Sequence, residues 1–274
     1  MQNIVISSAA ILLYFVTAAL LAWRFFGNKE HQQNNLLVAK PNVLGLGLVA
    51  VSLHAFALYH GLFNAGGLNL GFFNAISLIS FLIALLILLA SFANPVENLG
   101  IVLLPMAGIA IILGMLFHVD HTFPKSEVME LKLHILLSIM ASSLLGIAAV
   151  HAIVLAIQDR NLRNKHPGGY IRGLPPLQTM ETLLFQMIGL GFFLHSLSLI
   201  TGMISLDDMF AQHVVHKTVL SIISWFVFAI LLWGRWRFGW RGTKAIRWTL
   251  GGFITLLLAY LGSKWVLEIL LHRI

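Results

Sequence analysis

The stretch Phe72–Phe92 reads FFNAISLISFLIALLILLASF and has no charged residue in its 21 positions. At about 1.5 Å per residue, a helix of this length spans about 30 Å, which is the thickness of the hydrocarbon core of a bilayer. Backbone groups in lipid must be paired within their own segment, so a helix is the expected conformation. This stretch therefore predicts a transmembrane helix.

Seven more apolar runs of similar length flank this stretch. The predicted transmembrane helices are Ile4–Phe26, Val43–Phe63, Phe72–Phe92, Leu99–Phe117, Leu133–Ile157, Met180–Met203, Val219–Trp236 and Trp248–Leu271. Only 10% of the residues are charged, against about 25% in a soluble domain, and the links are too short to form domains. We therefore predict an all-α, polytopic integral membrane protein with a single membrane domain over residues 1–274.

Lys and Arg are concentrated in alternate links. Twelve of the seventeen lie after the first, fifth and seventh predicted helices: Arg24, Lys29, Lys40, Arg160, Arg163, Lys165, Arg172, Arg235, Arg237, Arg241, Lys244 and Arg247. The positive-inside rule makes this side cytoplasmic and places both termini on the outer, periplasmic side of a bacterial inner membrane. The net charge of +7 then reflects topology and contact with membrane lipid. No basic stripe indicates a nucleic-acid partner.

The histidines show the opposite bias. Of twelve, seven lie at or near the predicted outer face: His60, His118, His121, His134, His213, His216 and His272. Two imidazoles from different helices are able to hold a haem iron axially. The absence of Cys excludes thiolate ligation and covalent attachment of haem to this chain. Polarity at a membrane surface also explains histidines placed there, so both interpretations stay open.

Four histidines lie inside the apolar runs, where an ionisable side chain is costly and usually faces a partner in the bundle. They are His54, His134, His151 and His195. For each of them the sequence leaves two roles open. One is a structural hydrogen bond, and the other is ligation or proton handling.

Several motifs occur in a recognisable order. His54-Ala55-Phe56-Ala57-Leu58 lies in the second helix, and Pro175-Pro176-Leu177 precedes the sixth. KTVLSIISWFVF runs from Lys217 into the seventh helix, and GWRG, GGF and AYLGS follow it. In this order the motifs resemble the cytochrome c assembly family of haem-handling membrane proteins, which includes the CcmC, CcsA and HemX types. Within the family, the chain is most similar to the YpjD-type inner membrane proteins, over most of its length.

The resemblance implies that outer-face histidines bind haem b. His134 lies where the first of these histidines is expected, and His213 or His216 where the second is. The Trp-rich loop that presents haem in the synthases and exporters has no counterpart, since Ile204–Thr218 contains no Trp. In the seventh helix, Trp233 stands where the synthases have a membrane-embedded histidine. The resemblance therefore implies haem binding rather than haem delivery.

We accordingly predict a haem b-binding inner membrane protein with an accessory role in haem handling or cytochrome c biogenesis, and with other cytochrome or haem-biogenesis proteins as partners. The predicted axial ligands are His54 and His134, with His216, His213, His195 and His60 as alternates. Lys217 is a candidate to pair with a haem propionate, and a lipid phosphate, Asp207 or Asp208 stays open as its partner. No nucleophile–base pair or paired carboxylates indicate an enzyme.

Three alternatives stay open. They are a transporter or transport accessory for a metal ion or small solute, a b-type cytochrome that moves electrons from quinol, and a structural partner subunit. Buried histidines and outer acidic residues favour the transporter. The cytochrome requires two haems, or one haem and a quinone site, so a count of two haems per chain would support it.

Overall fold

The computed structural model describes residues 2–27, 38–64, 67–117, 122–124, 129–164, 174–205 and 215–262. The chain divides into two compact units. Unit 1 comprises Met1–Phe123 and Asn164–Pro175, and unit 2 comprises Pro124–Arg163 and Pro176–Ile274. The prediction of one membrane domain over residues 1–274 stays a prediction.

Unit 1 is built from four long apolar helices. They are α1 (Gln2–Phe26), α2 (Lys40–Leu62), α3 (Phe72–Ala93) and α4 (Gly100–Leu116), and a 3-10 turn at Glu97–Leu99 precedes α4. Helix α1 packs against α2 and α4, and α3 packs against the same two helices. The short strands β1 (Phe63–Asn64), β2 (Gly67–Asn69) and β3 (Thr122–Pro124) form a small sheet in that order, with β1 and β2 antiparallel.

Charged side chains tie three elements of unit 1 together at their predicted cytoplasmic ends. Glu97 forms ion pairs with Lys40, whose Nζ lies 2.6 Å from Oε2, and with Arg24, whose NH2 lies 3.7 Å from Oε1. Arg24 also donates to the Val38 carbonyl. All three charged side chains are partly exposed, so we expect the ion pairs themselves to contribute only about 1 kcal/mol or less.

Unit 2 contains the other four long helices. They are α5 (Met129–Arg163), α6 (Leu177–Ser205), α7 (Val215–Phe238) and α8 (Thr243–Leu257), and α8 continues as a single π-helical turn over Leu258–Gly262. Helix α5 makes its most extensive contact with α6 and also packs on α8, which packs on α7. At its predicted cytoplasmic end α5 continues past the apolar run, where Arg163 donates to Asp159 at 3.1 Å. Such i, i+4 pairs favour helix in water, which explains the added turns.

Seven helices within the described residues are long and apolar enough to cross a membrane. They correspond to the first seven predicted helices, with ends that differ by a few residues. The eighth predicted helix, Trp248–Leu271, is helical as far as Gly262, and its remainder lies outside the described residues. The count of eight and the outer position of both termini stay predictions.

Glycines permit close helix contacts in both units. A Cβ on Gly47 would lie 2.8 Å from Leu88 Cδ2, and one on Gly191 would lie 2.7 Å from Leu145 Cδ2. The first contact brings α2 against α3, and the second brings α6 against α5. Small residues permit this approach, which is a main source of packing energy between helices in lipid.

Candidate functional site

The four histidines inside the helices differ in what their ring nitrogens do. His54 lies in unit 1, and the other three lie in unit 2. His54, His151 and His195 are buried, and His134 is partly exposed. Because a buried polar group in lipid needs a partner, the hydrogen bonds of each ring show whether a nitrogen is left to bind a metal.

His134 leaves one ring nitrogen available. Its Nδ1 lies 2.7 Å from the carbonyl oxygen of Ser198 on α6 and 3.4 Å from the hydroxyl of the same residue. A carbonyl only accepts, so Nδ1 must carry the proton, and in the neutral ring Nε2 then holds a lone pair. Among the described residues Nε2 has no hydrogen-bond partner. A metal-binding histidine has this arrangement, with the second nitrogen donating to a carbonyl or carboxylate.

The surroundings of His134 hold the ring in place. A Cβ on Gly202 would lie 2.8 Å from Cε1 of the imidazole, so glycine lets the ring lie directly against α6. The Ser198 carbonyl also accepts from Thr201 Oγ1 at 3.0 Å, and the Ser198 hydroxyl lies 2.6 Å from that of Ser138. The side chain is therefore oriented by a small polar network between α5 and α6.

His195 also bonds to a carbonyl through one ring nitrogen, but the roles of its two nitrogens are exchanged relative to His134. Its Nε2 donates to the Ser221 carbonyl on α7 at 3.1 Å, which leaves the lone pair on Nδ1. His195 is three residues before Ser198 on α6, and Ser198 is the residue whose carbonyl accepts from His134. Unit 2 thus brings two of the predicted ligands, His134 and His195, into one region.

Aromatic side chains continue this region along α6 and α7. Trp225 Nε1 donates to the hydroxyl of Ser196 at 2.8 Å, and its ring lies 5.4 Å from that of Phe192. An indole fixed by a hydrogen bond and packed on a second ring provides the kind of rigid apolar wall that a porphyrin requires.

His151 is fully buried near the other end of α5. Its Nε2 donates to the Met180 carbonyl at 2.9 Å, and its Nδ1 has no hydrogen-bond partner among the described residues. The next residue, Glu181, accepts from the backbone N–H of Gly242 at 2.8 Å. Glu181 thus caps the start of α8 from a position 61 residues earlier in the chain.

His54 has a partner on both ring nitrogens. Nδ1 lies 3.1 Å from the hydroxyl of Tyr14 on α1, and Nε2 lies 2.9 Å from the hydroxyl of Ser77 on α3. The ring also packs edge-on against Phe81 at 5.6 Å. His54 therefore joins three helices of unit 1, and it binds iron only if one of the two hydroxyls moves away. Tyr14 and Ser77 were not predicted, because nothing in the sequence relates residues 40 and 23 positions away from a histidine.

The remaining candidates lie near the predicted outer face. His60 is exposed at the end of α2, with ring contacts to Phe56 at 4.9 Å and Tyr59 at 5.6 Å. His216 is in the first turn of α7, and Lys217 follows it, partly buried. His213 lies outside the described residues. No three His, Asp or Glu side chains converge on a metal-ion site in the described part of the chain, whereas a haem iron takes at most two.

Comparison with known proteins gives consistent results. The family model described as cytochrome C assembly protein matches residues 42–271. The inner membrane protein YpjD of Escherichia coli K12 is 32% identical over 229 residues, which cover 81% of this chain and 85% of that protein. The cytochrome c biogenesis protein CcsA of Gloeobacter violaceus is 29% identical over 93 residues, which cover 33% of this chain and 28% of that protein.

Proposed function

We infer the function from one premise: the chain belongs to the cytochrome c assembly protein family. Its relationship to YpjD, together with the seven candidate spans, supports a multi-pass inner membrane protein. Membership suggests a role in haem handling or cytochrome c biogenesis. We propose that this chain binds haem b and that its role is accessory, as a carrier, chaperone or regulator.

The observation that carries the proposal is the hydrogen bond from His134 Nδ1 to the Ser198 carbonyl. It fixes the tautomer in which Nε2 is free to bind iron, and it turns the ring to one orientation. His134 is also the position that sequence motifs identify as the first haem-binding histidine of the family. Two independent lines of argument thus support the same residue.

The second axial ligand is assigned less directly. His216 and His213 are favoured by their place just before or within the start of α7, and His195 by its position beside His134 in unit 2. The sequence also predicts ligation by His54, and nothing in the structure tests that prediction. Because ligation by His54 would require the loss of a hydrogen bond to Tyr14 or Ser77, we propose a structural role for His54 instead.

Once bound, haem supplies redox and axial-ligand chemistry, and the residues of this chain bind and orient it. Ser198 fixes the His134 imidazole, and Ser138 and Thr201 hold Ser198. Lys217, at the start of α7, is proposed to pair with a propionate.

The test is the visible spectrum of protein purified from its membrane, with haem counted per chain. We expect one haem b with a Soret band and a spectrum typical of two axial imidazoles. His134→Ala should lower haem affinity by more than about 100-fold, which is beyond the 10- to 100-fold effect typical of removing a hydrogen-bond partner of a ligand. Added imidazole, which can enter the space left by the ring, should restore the band in His134→Ala.

A colourless protein that takes up no added haem contradicts the proposal. Two haems per chain, or electron transfer from quinol, identifies a b-type cytochrome instead. Retention of haem by His134→Ala shows that the assignment of His134 is wrong, even if the protein binds haem.

A further inference from the structure

The turn between α7 and α8, together with the helix ends on either side of it (residues 234–247), forms a surface of exposed cations that we call the basic turn. Arg237, Arg241, Lys244 and Arg247 are all exposed there. The described segment 215–262 contains no Asp or Glu. Arg237, Arg241 and Arg247 have no partner among the described residues, so no described side chain neutralises their charge.

The backbone of the basic turn is held rigidly. Gly239 and Gly242 have φ of 64° and 57°, a region that side-chain-bearing residues rarely adopt. A Cβ on Gly234 would overlap the indole of Trp240, so that ring packs directly on the helix backbone. Arg235 donates to the Trp240 carbonyl at 3.2 Å. Glu181 holds the N–H of Gly242 at 2.8 Å.

This rigidity matters for ligand binding, because a turn that is already ordered loses little conformational entropy when a ligand binds. Two other cations of the basic turn already contact aromatic rings of the protein. Arg235 lies over the Phe185 ring at 4.6 Å, and Lys244 lies over the Trp240 ring at 4.7 Å. Arg237, Arg241 and Arg247 have no such role within the described residues.

The aromatic side chains beside the basic turn set its depth. Trp236 is 83% exposed, and Phe238 and Trp233 are more than half exposed. Exposed Trp at a helix end belongs at the level of the lipid headgroups. The exposed arginines therefore lie where phosphate groups of lipid are found. The N-terminus of α8, which would otherwise attract an anion, is already capped by the carboxylate of Glu181. An external anion would therefore bind the arginine side chains.

We propose that the basic turn binds the headgroup of an anionic phospholipid through Arg237, Arg241 and Arg247. The partner is lipid rather than a soluble polyanion because Trp236 places the cations at the membrane surface. Guanidinium groups bind phosphate in bidentate geometry, which is the chemistry required. This site is separate from the proposed haem-binding residues and does not depend on them.

The test compares the intact chain in nanodiscs of phosphatidylcholine with and without phosphatidylglycerol, using native mass spectrometry to count retained lipid and thermal unfolding to measure stabilisation. Each arginine near a membrane surface contributes about fivefold in affinity. The triple variant R237Q/R241Q/R247Q should therefore bind phosphatidylglycerol about 100-fold more weakly. The effect in the wild type should also decrease at high salt.

Two controls keep the result interpretable. R163Q removes an arginine on the same predicted side that Asp159 already neutralises, so it should bind as the wild type does. R237K/R241K/R247K retains the charges that set topology and should stay within about tenfold of the wild type, since only bidentate contact is lost. Equal binding of phosphatidylglycerol by wild type and the triple Gln variant overturns the proposal. Equal stabilisation by inorganic phosphate in phosphatidylcholine nanodiscs overturns it as well, because the ligand is then a free anion.

Discussion

Replacement of His54 by Ala should destabilise the protein without removing haem. His54 is 1% exposed and bonds to Tyr14, which is fully buried, and to Ser77. Hydrogen bonds between transmembrane helices contribute about 0.6 kcal/mol on average and at most about 1.7, so the two bonds together amount to about 1–2 kcal/mol. The cavity left by the ring adds about 2 kcal/mol. We therefore expect the free energy of unfolding to decrease by about 3–4 kcal/mol.

His134→Ala should show the converse behaviour. The side chain is partly exposed and, within the described part of the chain, hydrogen-bonds to Ser198 alone, so its removal should cost about 1 kcal/mol. Haem binding should nevertheless be lost, because the ligand itself is removed. The two variants thus separate stability from haem content, which a single variant would not do.

The assay is unfolding in detergent with increasing SDS, followed by tryptophan fluorescence, on protein freed of haem. Haem-free protein is required because a ligand that binds only the folded state adds its own stabilisation. Haem content is then measured separately after reconstitution. Tyr14→Phe provides a matched control, since it removes one hydroxyl of the same network and should cost only about 1 kcal/mol with haem retained.

If His54→Ala unfolds as the wild type does but binds no haem, the reasoning is refuted. His54 is then an axial ligand, and the bonds to Tyr14 and Ser77 must open when haem binds. If both variants retain haem, neither is an essential ligand, and His195 and the candidates at the start of α7 become the remaining choices within unit 2.

Three further substitutions test the α7–α8 turn by the same unfolding assay. Gly234→Ala places a methyl group against the rigid Trp240 indole and should cost about 1–3 kcal/mol, whereas Gly251→Ala, with nothing within 4 Å, should be neutral or slightly stabilising. Gly242→Ala forces a side chain into φ 57° and ψ −136°, a backbone region that is essentially restricted to glycine, and should cost about 1–3 kcal/mol; a neutral result shows that the turn relaxes. Glu181→Gln keeps an acceptor for the Gly242 N–H but removes the charge at the start of α8, so a loss of about 1 kcal/mol is expected and a gain contradicts the assignment.

The helices were predictable because hydrophobic length alone determines what crosses a bilayer. Phe72–Phe92 was predicted and α3 is Phe72–Ala93, a difference of one residue. The polar ends were less predictable. Helix α5 begins at Met129 and ends at Arg163, beyond both ends of the predicted apolar run. Its terminal turns carry polar residues, and polar residues form helix in water as well. No feature of hydrophobic pattern indicates where such a helix stops.

The partners of the site residues could not be predicted for a different reason. His54 and His134 carry the same signal in sequence, as a single histidine within an apolar run. The difference lies in partners 40 and 64 residues away, Tyr14 for one and the Ser198 carbonyl for the other. A hydroxyl accepts or donates and a carbonyl only accepts, so only the second fixes which nitrogen of the ring keeps its lone pair.

This difference also explains how a membrane protein can hold histidines for two purposes. In lipid, an imidazole with both nitrogens paired is tolerated because its polarity is cancelled, and it then holds helices together, as His54 does with Tyr14 and Ser77. An imidazole with one nitrogen unpaired keeps part of that cost, and a metal bound at the lone pair removes it. His134 retains such a nitrogen at a partly exposed position on α5, where a ligand is able to reach it. His195 and His151 retain one in buried positions, so access rather than tautomer distinguishes His134 from them.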